Sequence, residues 1–219
     1  MQTLYLVSAF YVTPMFNFTN ALFVVVFFLA PITLVNGQIF KTGSGTLDAI
    51  SGVDRYNLVF EYAEDLKIPK YASEEAFLDT YAKKKDKKEA GAGTTFKNNW
   101  YTNRSILFEP RFIQEFNFFN LKEKQVTVAK DISDADYTMV LRTSLIDPGN
   151  SNFFFKKDAR LEVTISIYKS DEPQQILYAT EMVDVHSKGA STGDYDRIMS
   201  AYAELGRGFS KHLSRKTLN

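Results

Sequence analysis

No charged side chain occurs before Lys41, although the chain carries 26 Lys and Arg and 26 Asp and Glu. A stretch without charge can enter hydrocarbon, whereas a charge-rich one cannot. The chain therefore divides into an apolar leader and a folded body before any element is assigned. Within the leader, Ala21-Leu22-Phe23-Val24-Val25-Val26-Phe27-Phe28-Leu29-Ala30 is unbroken, Pro31 interrupts it, and Val35-Asn36-Gly37 offers small residues for cleavage. An apolar run, a break and a small-residue site, in that order, make a signal peptide. The mature chain would start at Gln38. Only the terminal amine supplies the positive end of this leader, and Met15 is a second available start. Two readings compete with cleavage, an uncleaved anchor and a buried core helix. Counted from Leu4 the segment reaches the roughly 20 residues a span needs, but Pro14, Asn17, Asn20 and Pro31 interrupt it. The expectation is a leader over 1–37, a single domain over 38–219, and a periplasmic or secreted location. Membrane contact would come only through the N-terminal segment, if it stays attached.

The body is long enough to form one core without covalent staples. With no Cys in the chain, a disulfide framework, thiolate zinc, a Cys nucleophile and a lipid-modified N-terminal Cys are all excluded. Lys and Arg balance Asp and Glu, which argues against nucleic acid, since phosphate binding requires a basic excess.

Periodicity supplies the elements. Tyr56–Tyr62 reads as a strand, and Ser73 caps a helix through Ala82 that runs into Lys83-Lys84-Lys85-Asp86-Lys87-Lys88, where cations suit the negative end of the dipole. Gly91 and Gly93 stop it. A second helical stretch runs from about Asn98 to Glu123, with Pro110 either kinking it or opening another helix. Gln125–Ala129 and Tyr137–Ile146 are strands, and Asp147-Pro148-Gly149-Asn150 is a turn. Leu161, Val163, Ile165 and Ile167 alternate with Glu162, Thr164, Ser166 and Tyr168, one face buried and one wet. Gln175–Val185 follows as a partner strand. A last helix carries Ile198, Ala201, Tyr202, Leu205, Phe209 and Leu213 in one stripe, with Gly206 and Gly208 suggesting close approach to the sheet. The order β-α-α-β-β-β-β-α predicts an α+β fold, a two-layer sandwich whose mostly antiparallel sheet is a meander with helices on one face.

Candidate chemistry is sparse. His186 and His212 are the only histidines, and no Gly-x-Ser-x-Gly elbow accompanies them. Asp131, Asp134 and Asp136 invite a calcium reading, but their spacing is not that of an EF-hand, and turn formation accounts for them. Gly43-Ser44-Gly45 and Gly91-Ala92-Gly93-Thr94 lack the Lys-Ser/Thr ending of a phosphate loop. Glu181 falls in phase with Leu177, Ala179, Val183 and Val185, so it could be a buried acid of raised pKa, one member of an ion pair with a nearby Arg, or a residue at an edge position. Phe153-Phe154-Phe155, just after the turn, is the candidate partner-binding surface; the competing reading folds it over the open sheet face. No cofactor and no metal is expected. The function so implied is an exported, non-catalytic domain that binds a protein, an envelope component or a polymer. The alternatives are a carboxylate-dependent envelope hydrolase and a membrane-tethered domain.

Several segments together resemble a group of small, exported bacterial proteins without an assigned activity. They are Gly45-Thr46-Leu47-Asp48, Phe60-Glu61-Tyr62, Gly91-x-Gly93 with Trp100 and Arg104, Phe108-Glu109-Pro110-Arg111-Phe112, Ala135-Asp136-Tyr137-Thr138, Asp147-Pro148-Gly149 and the Ile198–Leu213 helix. The resemblance implies a periplasmic or secreted α+β domain and brings no catalytic residues with it. At fold level the order is also similar to the periplasmic domains of curli-secretion and penicillin-binding-protein-activating lipoproteins, from which the missing lipid-attachment Cys separates this chain.

Overall fold

A computed structural model describes residues 40–120, 126–151, 156–188 and 193–216. The leader at 1–37 and the Phe153-Phe154-Phe155 segment lie outside the described residues. In chain order the elements are β1 (Thr42–Gly45), β2 (Arg55–Lys67), α1 (Glu74–Asp86), α2 (Ala92–Asn103), a π-helical turn (Arg104–Phe108), α3 (Glu109–Asn120), β3 (Thr127–Ala129), β4 (Tyr137–Asp147), β5 (Asn150–Ser151), β6 (Lys156–Lys157), β7 (Arg160–Lys169), β8 (Ile176–Thr180), β9 (Val183–His186) and α4 (Asp194–Lys216).

The α+β expectation holds, and the sheet is mostly antiparallel. Its strand order is β1-β8-β7-β4-β2-β3, with β9 beside β7. The expected meander describes β4, β7, β8 and β9 only, because β2 lies parallel to both β4 and β3. The reason is the helical crossover. α1, α2 and α3 carry the chain back to the end of the sheet where β2 began, and a strand re-entering there must run parallel.

Local signals place the helices. Ser73 Oγ accepts from Ala76 N–H at 3.1 Å and caps α1. Gly91, with a left-handed φ of 84°, caps the start of α2 rather than stopping α1, which ends at Asp86 with Lys87 as its C-cap, and Gly93 lies inside α2. Pro110 is the second residue of α3, directly after the π turn, and the helical stretch continues through it. α2 begins earlier than the hydrophobic spacing alone predicts, at Ala92.

One face of the sheet meets the helices. Leu161, Val163, Ile165 and Ile167 of β7, Met139 and Leu141 of β4, and Tyr56 and Leu58 of β2 are all buried in a single cluster with Ile198, Ala201, Tyr202, Leu205 and Phe209 of α4. Glu162, Thr164, Ser166 and Tyr168 alternate onto the other face and stay half-exposed. Aromatic rings join the layers. Phe108 stacks flat on Tyr202 with centroids 5.7 Å apart, and Phe60 meets Phe112 edge-on at 5.7 Å.

Two sheet irregularities are informative. The predicted strand over 175–185 is broken after Thr180, and Thr180 Oγ1 accepts from Ile165 N–H at 3.0 Å, replacing a ladder acceptor. The break shifts the side-chain phase by one, so Tyr178 and Thr180, then Val183 and Val185, are buried. At the opposite edge, the Asn117 amide accepts from Val128 N–H at 2.9 Å and donates to Val128 C=O at 3.0 Å. That side chain imitates a neighbouring strand and closes β3 to further pairing.

Gly206 does mark a close backbone approach, but the partner is α3 rather than the sheet. A Cβ there would lie 2.5 Å from Phe112 O. Gly206→Ala should therefore destabilise by about 1–3 kcal/mol, because forced separation of two packed helices outweighs the propensity gain of about 1 kcal/mol. Urea unfolding of the two proteins checks it, and an unchanged midpoint would contradict the close packing.

Candidate functional site: the outer face of α2 and α3

The structure separates the acidic residues singled out in the sequence. Glu181 is exposed at the break between β8 and β9, its backbone N–H bonded to Lys41 C=O at 2.8 Å. Of the readings open for Glu181, the phase shift at that break rules out the buried acid and leaves an exposed residue. Asp131, Asp134 and Asp136 sit across the sheet on the turn before β4, where Asp134 pairs with Arg55 at 3.1 Å. Asp134 and Asp136 line a depression of about 480 Å³ together with Lys169 and Asp171. Among the described residues no three His, Cys, Asp or Glu converge as a metal site requires. His186 is exposed, 3.5 Å from Asp184, and His212 Nε2 meets Tyr178 Oη at 2.9 Å. The lysine run ends α1 as expected, with Lys84 over the Tyr81 ring and Lys85 over that of Phe96. Phe153-Phe154-Phe155 falls between β5 and β6. At the base of that connection Asp147 binds Gly149 N–H at 2.9 Å and Lys157 Nζ at 2.5 Å.

The unexpected feature is how α2, the π turn and α3 dispose their charges. Lys97 pairs with Asp79, and Arg104 with Glu74. Glu109 binds Lys130 at 2.6 Å, and Arg111 reaches Glu115 at 2.9 Å. Glu115 also binds Arg207 of α4 at 2.9 Å, which continues to Glu204 at 2.6 Å. All five charges on these helices are paired, but Arg111 also donates to Gln114 Oε1 at 2.6 Å, and the Lys97 and Arg111 side chains stay 37% and 35% exposed. Every exposed residue from Asn98 to Phe118 is uncharged: the two Asn, Tyr101, Thr102, Ser105, Ile106, Pro110, Gln114 and Phe118. Ile106 is 59% exposed and Phe118 55%. Charges normally occupy the solvent side of a surface helix and apolar groups the inner side. Here Arg104, Glu109 and Glu115 are held inward, Lys97 and Arg111 border the face, and its most exposed positions are uncharged, Ile106 and Phe118 among them.

Residues quoted for the sequence resemblance hold this face in place. Trp100 Nε1 donates to Glu74 Oε1 at 2.5 Å, beside the Arg104 guanidinium on the same oxygen. Arg104 lies 4.1 Å from the centre of the Tyr62 ring and 5.1 Å from that of Tyr101. Tyr62 Oη reaches Glu109 Oε1 at 3.5 Å and also bonds Tyr202, which meets Thr143 Oγ1 at 2.8 Å. The chain Glu74–Arg104 and Lys130–Glu109–Tyr62–Tyr202–Thr143 ties the π turn to the sheet. A π turn is a one-residue insertion in a helix and is tolerated where the extra width is used. Here that width accommodates Arg104 between two tyrosine rings.

The electrostatics of this chain suit scaffolding rather than proton transfer. Burial, followed by Tyr202 and Glu109, pushes the Tyr62 phenol far above its ordinary range. Burial pushes Tyr202 up to about 12. Both phenols stay protonated near neutral pH and act as hydrogen-bond donors. Sequence reasoning did not single out this face or the charges Lys97, Arg104 and Arg111 that border it. Their seven-residue spacing was the available signal, since it gathers them on one side.

The raised phenols set a direction for alkaline stability. A tyrosine whose folded pKa exceeds its unfolded value of about 10 favours the folded state fully below pH 10 and loses that contribution as pH rises toward the folded pKa. Stability should fall from about pH 10 upward. In Tyr62→Phe the fall should be shallower, read from urea unfolding between pH 8 and 11.5 (roughly the accessible range). An equal slope in both proteins would contradict the burial of this phenol.

Among the described residues no helix is long and apolar enough to cross a membrane. No family model and no curated protein sequence matches the chain. Solved structures similar to it include the PelC dodecamer from Paraburkholderia phytofirmans, at 11% identity and a TM-score of 0.36, covering 79% of this chain and 97% of that one. A single-substitution variant of that PelC dodecamer aligns at 9% identity with the same TM-score and coverage. Protein XCC0632 from Xanthomonas campestris, described as DUF330, aligns at 12% identity and a TM-score of 0.39, covering 74% of this chain and 85% of that one. None of these three is a curli-secretion or penicillin-binding-protein-activating lipoprotein, the fold-level likeness the element order suggested.

Proposed function

We propose that this chain is an exported, non-catalytic domain that binds a protein or cell-envelope component through the neutral outer face of α2 and α3. The observation that carries the reading is the inversion of charge on that face. Holding Arg104, Glu109 and Glu115 in paired, largely buried positions costs desolvation that a purely solvated helix would avoid. The result is a surface whose most exposed positions carry no ion, so water is readily displaced from them. The acids suspected of hydrolysis lie on separate parts of the sheet, and the buried phenols hold their protons, so the chemistry supports binding.

The remaining expectations complete the proposal. Residues 1–37 are the cleaved leader, residues 38–219 the mature domain, and its place is the periplasm or the exterior. The Phe153-Phe154-Phe155 segment is a second contact, set on the connection between β5 and β6. The alternative for the leader is retention as an anchor.

Two measurements check this. N-terminal sequencing of the protein produced in an exporting host should begin at Gln38, and a start upstream of the apolar run would establish the anchor. Capture from envelope extract should be lost in Ile106→Lys, and in the combined Phe153→Ser, Phe154→Ser, Phe155→Ser variant, while both keep the wild-type unfolding midpoint. Capture unchanged in both variants would remove these surfaces from the function.

A further inference from the structure

The C-terminal end of α1 carries Lys83, Lys84, Lys85, Lys87 and Lys88, all exposed. Among the described residues none of the five enters an ion pair. The acids beside them are engaged elsewhere, since Asp79 holds Lys97 and Asp86 accepts from Gly93 N–H at 2.8 Å. Lys84 and Lys85 rest instead over aromatic rings, 5.0 Å from the centre of Tyr81 and 5.9 Å from that of Phe96. Set against Asp86 and Glu89, the five lysines leave three net positive charges over residues 83–89. The helix dipole favours cations at this end. Even so, Lys83 and Lys87, and likewise Lys84 and Lys88, stand four residues apart, a spacing at which like charges repel. An anionic surface brought against the tip offsets that repulsion.

A depression of about 530 Å³ opens beside this tip, with Lys85, Glu89, Thr95, Phe96, Asn99 and Tyr195 in its lining. Tyr81 and Tyr195 stack on Phe96 with centroids 5.6 and 6.1 Å apart, and both tyrosines are half-buried. Rings with an apolar body and a wet hydroxyl settle at the headgroup level of a bilayer. Two features of the lysines point to a flat surface rather than a single anion or a polymer strand. At 3.6 residues per turn they fan through roughly 200° around the helix axis instead of forming one stripe. A strand lying along the helix meets part of that fan, whereas a plane meeting the tip end-on meets all of it. All five are Lys and none is Arg. A lysine is a mobile point charge that answers a diffuse field, while the arginine fork selects individual phosphates and carboxylates. Basic residues beside aromatic ones are what an anionic lipid surface attracts.

We propose that the basic tip of α1 and the depression beside it dock on an anionic phospholipid bilayer, with the lysines toward the phosphate layer and Tyr81 and Tyr195 at headgroup depth. Membrane contact then extends from the N-terminal segment to the folded domain. The site shares only Asn99 with the outer face of α2 and α3, so it does not depend on the reading of that face. Contact of this kind is reversible and weakens steeply with salt.

The test uses the full chain expressed with its N-terminal segment in an exporting host, purified in the form that accumulates and sedimented with vesicles. No charge precedes Lys41, so whatever the N-terminal segment contributes is equal on neutral and anionic lipid, and the ratio between the two reports the lysines. Wild type should bind phosphatidylcholine vesicles holding about 30% phosphatidylglycerol at least about tenfold more tightly than pure phosphatidylcholine. Raising salt from about 50 to 300 mM should erase most of that preference. The combined Lys83→Gln, Lys84→Gln, Lys87→Gln, Lys88→Gln variant should lose the preference with unchanged circular dichroism and melting. The corresponding four-Arg variant should keep it, and so should Ile106→Gln on the outer face. Equal binding of wild type to neutral and anionic vesicles, or a four-Gln variant that keeps the preference, would overturn the proposal. Either result beside loss of envelope capture in Ile106→Lys would leave the outer-face reading standing. Release from anionic vesicles by millimolar inorganic phosphate at constant ionic strength would assign the site to free phosphate instead. Tighter binding to polyglutamate than to the vesicles would assign it to a soluble polyanion.

Discussion

The contact between α3 and α4 at Gly206 governs the rest of the architecture. Because residue 206 has no Cβ, the Phe112 carbonyl comes within the space a methyl group would occupy. The two helices thereby pack against one sheet face with aromatic rings in the seam between them. Phe108 on Tyr202 and Phe116 beside Phe209 fill that seam. Tyr202 extends the contact to Thr143 of β4, so the helical layer is registered to the sheet by a buried hydrogen bond as well as by apolar packing.

Close approach of the helices also explains where the charges go. With the seam occupied by rings, Glu115 and Glu204 sit at its rim, and Arg207 bridges them across the two helices. On the other flank, Arg104 is held between tyrosine rings with its guanidinium on Glu74, and Glu109 is answered by Lys130 from beyond β3. Each pair stitches neighbouring elements, at the desolvation cost that burial imposes on ions. Once Arg104, Glu109 and Glu115 are committed inward, mostly neutral residues are left at the most exposed positions. The neutral face is thus a by-product of how the helices are fastened.

The edges of the sheet show a related economy. Asn117 caps β3 with a side-chain amide, and Thr180 supplies an acceptor where β8 and β9 part company. Both devices satisfy backbone groups that would otherwise be open to strand addition or left unpaired. Association through the sheet edge at β3 is therefore closed, which leaves the helical layer as the broader surface for contact.

Alternation and helical spacing are local properties, and they were legible. β7 was readable from Leu161 to Tyr168, α4 from its stripe, α1 from Ser73 and its charges, and the α+β class from their order. Pairing direction was not legible, because whether β2 runs with or against β4 depends on where a three-helix crossover delivers the chain. The position of Glu181 was left open for a similar reason, since a break in β8–β9 changes phase without altering composition. The neutral face was the largest omission. A sequence records that Lys97, Arg104, Glu109, Arg111 and Glu115 are charged, but whether such a side chain meets water or a counter-ion depends on partners as distant in sequence as Arg207. The apolar run before Lys41 and the charge balance are set by composition alone. Parallel pairing, the Glu181 exposure and the inverted charge were decided by tertiary contacts, because each depends on which remote groups packing brings within hydrogen-bonding distance.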